Sequence, residues 1–74
     1  MQSNPNNAMR FLRLPDVKNR TALSRSSIYA KIKHGIFPKH INLGPRSVGW
    51  LESEVNEWIA ARINARQQGE TSNE

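Results

Sequence analysis

Thr21-Ala22-Leu23-Ser24-Arg25-Ser26-Ser27-Ile28-Tyr29-Ala30-Lys31-Ile32-Lys33-His34-Gly35 is the stretch that decides the fold. Thr21-Ala22-Leu23 is too short for anything but a turn. Ser24 is a good N-cap, because its hydroxyl can accept from a first-turn amide that has no partner inside the helix. The helix it opens is expected over about 25–34, ending at Gly35, a residue suited to the left-handed stop position. Pro38 then prevents the helix from resuming. At 100° per residue Ile28 and Ile32 share one face, which Leu23 and Ile36 extend at the ends. The opposite face carries Ser26, Ala30 and Lys33, flanked by Ser27, Tyr29 and His34. It has no large aliphatic side chain and no acid, so a helix built this way can enter a groove closely.

Reading outward toward the N-terminus, Arg10–Leu14 is expected as a short strand. Pro15 follows, at a position where a helix tolerates it, and Asp16 favours the dipole of the first turn. A helix over about 15–21 would bury Val17 with Leu14 and Leu23, and it is short enough to need packing to be stable. Two helices joined by about three residues have helix-turn-helix spacing. Toward the C-terminus, Ile41 and Leu43 alternate with polar residues, as do Val48 and Trp50. The Gly44-Pro45-Arg46 turn between them predicts a β-hairpin with Arg46 near its tip. The last helix is expected from Glu52-Ser53 to about Gln67, with Val55, Trp58, Ile59 and Ile63 on its apolar stripe. Glutamates lead it and arginines close it, which suits its dipole. Trp50 and Trp58 are both expected in the core, with Trp58 as the main anchor. The order is strand, helix, turn, helix, hairpin, helix. That makes a mostly α fold with a small β-hairpin, a winged helix-turn-helix. The domain is expected over residues 10–67, with a disordered leader at 1–9, in which Met9 is an alternative start, and a disordered tail at 68–74.

The chain has 74 residues, a net charge of +5, a pI near 10.5 and no cysteine. A domain this small buries only about 60% of its unfolded surface, which leaves little room for an enclosed active site. Without cysteine there is no disulfide, no thiolate nucleophile and no Cys-based zinc site, and a reducing, cytoplasmic setting is favoured. No apolar run is long enough to span a membrane or to serve as a secretory signal. His34 and His40 lack a third ligand at metal spacing, and no nucleophile is positioned beside either. No enzyme activity, cofactor, metal or small-molecule ligand is expected. The charge is uneven along the chain. Residues 1–51 hold nine Lys or Arg against Asp16 alone, and residues 52–74 hold two Arg against five Glu. A balance of +8 followed by −3 points to a polyanion-binding face backed by a more acidic helix.

Groove dimensions turn that into a mechanism. The second helix fits the major groove of B-DNA, and a hairpin arginine can meet the backbone or the narrow minor groove. The residues expected to bind DNA are Ser24, Arg25, Ser26, Ser27, Tyr29, Ala30, Lys31, Lys33, Lys39 and Arg46. Ser24 is foremost an N-cap. Tyr29 either closes the core edge with its ring or reaches a phosphate with its hydroxyl. Two other classes of function stay open here: an adaptor of a phage machine such as a terminase small subunit, and RNA binding. The second is disfavoured by the closed major groove of A-form RNA and the lack of stacking platforms.

The blocks RLPDV (13–17), LSRSSIY (23–29), GIFPK (35–39), LGPRSVGW (43–50) and SEVNEWI (53–59) together resemble the AlpA family of prophage-type regulators, over about residues 10–63. The resemblance implies a MerR-like winged helix similar to small phage excisionases. It implies transcriptional control of mobile-element genes, and service as a recombination directionality factor beside an integrase, with further copies on DNA. It assigns Ser24–Lys33 to the recognition helix, sets Ser26, Ser27, Tyr29, Ala30 and Lys33 toward DNA, and makes Arg46 the basic residue of the wing tip. Two positions depart from the family pattern. Ala22 stands where glycine is common, and Ala30 where the residue is often longer and basic.

Overall fold

The computed structural model describes residues 9–67, so the leader expected at 1–9, except for Met9, and the tail expected at 68–74 lie outside the described residues. In chain order the elements are β1 (Phe11–Leu12), α1 (Leu14–Thr21), α2 (Arg25–Lys33), β2 (Ile41–Gly44), β3 (Ser47–Leu51) and α3 (Glu52–Gln67). The first strand is shorter than its apolar pattern suggested. Leu14 already belongs to α1, whose Pro15 lies in the first turn, where a missing N–H costs nothing.

The turn between α1 and α2 is closed by groups that its own sequence supplies. The Thr21 hydroxyl donates to the Val17 carbonyl at 2.8 Å and accepts from the Leu23 amide at 3.2 Å. Ala22 ends α1 with φ +62°, the left-handed conformation that glycine adopts more readily. Ser24 caps α2, its Oγ accepting from the Ser27 amide at 3.1 Å. α2 stops one residue early, at Lys33, because Gly35 takes φ +75°. The Gly35 amide then donates to the Ile32 carbonyl and the Ile36 amide to the Lys31 carbonyl. This pair of bonds is the Schellman closure.

The sheet has the order β1-β3-β2, antiparallel throughout, with Phe11 opposite Leu51, Leu12 opposite Trp50 and Ile41 opposite Gly49. The register shifts between Asn42 and Gly44, so Leu43 is an extra residue in β2, a bulge that bends the wing. The core is Leu12, Val17, Ile28, Phe37, Trp50 and Val55, and no polar or charged residue is buried among the described residues.

The anchor of this core is Trp50, fully buried on the central strand, and not Trp58, which is only partly buried. Trp58 lies on the flank of α3, one turn beyond Val55, where sheet and helices no longer enclose it. Two other apolar positions fall outside the stripes expected of them. Ile36 is 56% exposed because the left-handed Gly35 turns the chain off the helix axis. Ile63 is 47% exposed because α3 outruns the core, residues 60–66 being exposed throughout.

Candidate nucleic-acid interface

α2 turns Ile28 into the core and presents the opposite side to solvent. Arg25, Ser26, Ala30 and Lys33 are exposed, Ser24 lies exposed at the helix start, and Ser27 and Lys31 are half-buried on the flanks. No acid occurs on this helix, and Lys31 and Lys33 lie in its last turn. Tyr29 is half-buried. Of the two roles expected for it, the structure shows the ring at the core edge, with the Trp50 and His40 rings edge-on at 6.2 and 5.7 Å. The Arg25 guanidinium sits 5.4 Å from the Tyr29 centroid, a cation–π contact that steadies it at the helix start.

Arg46 forms the tip of the wing, exposed, with φ +57° directly after Pro45. A proline followed by a positive φ is the pattern of a type II turn, whose second central position normally takes glycine or asparagine. Lys39 is exposed in the segment that leads into β2.

What fixes the wing relative to α2 was not legible in any motif. The Trp50 indole N–H donates to the Pro38 carbonyl at 3.0 Å, and the Trp58 indole N–H to the Ile36 carbonyl at 2.7 Å. Phe37, between those two carbonyls, is buried, with its ring 5.0 Å from Trp58 and tilted against it. Two indoles and one phenyl ring therefore pin the connection between helix and hairpin. The sequence marks each tryptophan as apolar, but its hydrogen-bond partner lies 12 or 22 residues away along the chain.

One basic residue is withdrawn from the face. Arg20 of α1 donates to Glu52 at 2.7 Å and to Asn56 at 3.0 Å, locking α1 to the first turns of α3. That flank of α3 faces α1. The other flank, with Glu54, Glu57 and Trp58, faces the segment Pro38–Ile41 across an open groove of about 600 Å³. Among the described residues no three His, Cys, Asp or Glu are grouped to hold a metal ion, and no helix is long and apolar enough to cross a membrane.

A capped helix with a small, polar, acid-free face, set beside a hairpin with an arginine at its tip, defines a winged helix-turn-helix domain. Its sequence relationships are specific. The chain belongs to the AlpA family: the family described as Prophage CP4-57 regulatory protein (AlpA) matches residues 10–63. Over 60 residues it is 50% identical to the uncharacterized protein ORF88 of Enterobacteria phage P4, covering 81% of this chain and 68% of that protein. Over 65 residues it is 40% identical to the DNA-binding transcriptional activator AlpA of Escherichia coli K12, covering 80% and 93% respectively.

Proposed function

We propose that this chain is a double-stranded-DNA-binding transcriptional regulator of a prophage or genomic island, and that it also serves as a recombination directionality factor beside an integrase. The observation that carries the reading is the acid-free outer face of α2, held by the two indoles next to a wing tipped by Arg46. α2 enters the major groove with Ser26, Ser27, Ala30 and Lys33 toward the base edges. Ser24, Arg25, Lys31 and Lys39 meet the backbone, the Tyr29 hydroxyl joins them from a ring that stays at the core edge, and Arg46 reaches the backbone or the minor groove beyond. Ala30 offers only a methyl group, which suits contact with thymine better than with guanine. The protein works in the cytoplasm, on the nucleoid, without a cofactor.

Footprinting and bend analysis on the element's attachment site and neighbouring promoters test the DNA reading. Protection that weakens steeply with salt is expected, and no protection at low salt rejects it. An excision assay with integrase, run with and without this protein, tests the second half. Equal excision in both arms removes the directionality role and leaves the regulator.

A further inference from the structure

Three rings meet where α2, the lead-in to the wing and the central strand come together. Tyr29 of α2, His40 directly ahead of β2 and Trp50 of β3 form a closed triangle. Their centroids are 5.7 Å apart for Tyr29 and His40, 5.7 Å for His40 and Trp50, and 6.2 Å for Tyr29 and Trp50. The planes are tilted by 62°, 63° and 68°, the edge-to-face arrangement that the ring quadrupole favours. The three members are held very differently. Trp50 is fully buried, with its N–H fixed on the Pro38 carbonyl. Tyr29 is half-buried, next to the sealed Ile28. His40 is exposed, belongs to no helix or strand, and makes no hydrogen bond or ion pair among the described residues. Core packing therefore asks nothing of His40, yet its ring completes the triangle. The constraint continues outward. Arg25 lies one turn before Tyr29, and its guanidinium sits over the Tyr29 ring, 5.4 Å from the centroid. Arg25 has no carboxylate partner among the described residues, so its charge stays available for a phosphate. A long, rotamer-rich side chain that already rests on a ring gives up less freedom when it binds.

We propose that His40 is a positioning residue of the DNA interface: its ring holds Tyr29, and Tyr29 holds Arg25 for the phosphate that Arg25 meets. The role rests on the DNA reading above. His40 needs no contact with DNA of its own, because what it supplies is a ring edge against Tyr29. It also ties the two halves of the interface together. The residue after His40 opens β2, and Tyr29 belongs to α2, so the ring contact couples the base of the wing to the start of the helix. With His40 gone, Tyr29 keeps Trp50 on one side but is open on the other, and Arg25 loses its fixed platform.

Affinity for a duplex carrying one footprinted site, measured on variants of His40 and Arg25, tests the role. His40→Ala should weaken binding by about three- to tenfold, the scale of a lost aromatic pair. Two further substitutions separate the ring from its nitrogens. His40→Phe keeps a ring and should bind like the native chain, while His40→Gln keeps a polar donor without a ring and should behave like His40→Ala. Because His40 is exposed, all three variants should melt close to the native chain, which a purely structural role would not allow. The decisive arm is a double-variant cycle. In an Arg25→Ala background, where nothing is left to position, His40→Ala should cost at most about twofold more, a coupling that independent sites do not show. The protein without DNA gives a second readout: the upfield NMR shift that the Tyr29 ring imposes on the Arg25 side-chain protons should survive in His40→Phe and shrink in His40→Ala. Three outcomes overturn the proposal: His40→Ala binding like the native chain, His40→Gln binding well while His40→Phe does not, which makes the imidazole a direct polar contact, or an equal cost of His40→Ala with and without Arg25. A native chain that binds no duplex at low salt overturns the DNA reading and this role with it, whereas native binding that ignores His40→Ala overturns this role alone.

Discussion

Ile28 of α2 is sealed in the core, while all four residues of β2 are exposed and the strand pairs only with β3. Both elements carry residues proposed to meet DNA, yet they are held in different ways. α2 is capped at its start by Ser24, closed at its end by Gly35, and anchored by Ile28 in the core cluster that holds Trp50 and Val17. The wing has a bulge at Leu43, a strained tip at Arg46 and no buried side chain in its outer strand. The stability of this domain therefore resides in the helix-turn-helix and the central strand. The wing contributes reach, and its position is borrowed from the indole contacts at its base.

The sharpest way to break this comparison is through the two tryptophans. Trp50→Ala removes a fully buried ring and leaves the Pro38 carbonyl without its donor, at an expected cost of about 3–5 kcal/mol. In a domain of this size that approaches the whole folding free energy, so its far-UV CD signal should show a largely unfolded chain at 25 °C. Trp58→Ala, at a half-buried position, should cost about 2 kcal/mol and leave a cooperative melt. Equal losses would mean that the α3 flank anchors the core as strongly as the central strand does.

Ser24→Ala tests the helix side at a smaller scale. It removes one capping bond, and urea denaturation should register a loss of about 1 kcal/mol. Ser24 carries no charge, so the slope of DNA affinity against salt should stay unchanged in this variant. Lower affinity at constant slope, with the helix still folded, marks the serine as a backbone contact as well as a cap, and unchanged affinity leaves it a cap alone.

The helix-turn-helix was legible because its signals are local. Ser24, Gly35 and Pro15 each act within four residues of themselves, and the 3.6-residue spacing of Ile28 and Ile32 needs no partner to be read. α3 was legible for the same reason as far as its limits, but the depth of its burial was not. Periodicity names the face of a helix without saying where the core ends, so Ile63 looked equivalent to Val55. The exchange of anchor from Trp58 to Trp50 has a related cause. Which tryptophan is enclosed depends on strand order, and the two-residue β1 that covers one edge of β3 carries too little pattern to reveal it. In the candidate site the residues of α2 and the wing tip could be named from their order. Their mutual placement could not, since it depends on two indole hydrogen bonds to distant carbonyls.

The smallest effects are the most informative, because two residues face the same backbone demand for different reasons. Ala22 at φ +62° and Arg46 at φ +57° both hold a conformation that costs a non-glycine residue roughly 1–2 kcal/mol. Glycine relieves that strain but loses more entropy on folding, so each substitution should stabilise the domain by about 0.5–1 kcal/mol. Their effects on DNA should diverge. Arg46→Gly should tighten the fold, weaken DNA binding and lower the slope of log affinity against log salt by about one unit. Ala22→Gly should raise the melting temperature by a similar margin and leave both affinity and slope unchanged, since Ala22 only turns the chain between α1 and α2. If Arg46→Gly raises stability but binding is untouched, the strained arginine has no role at the tip that glycine could not fill. If Ala22→Gly weakens binding, the inter-helix angle, and not only the exposed face of α2, is set by that one residue.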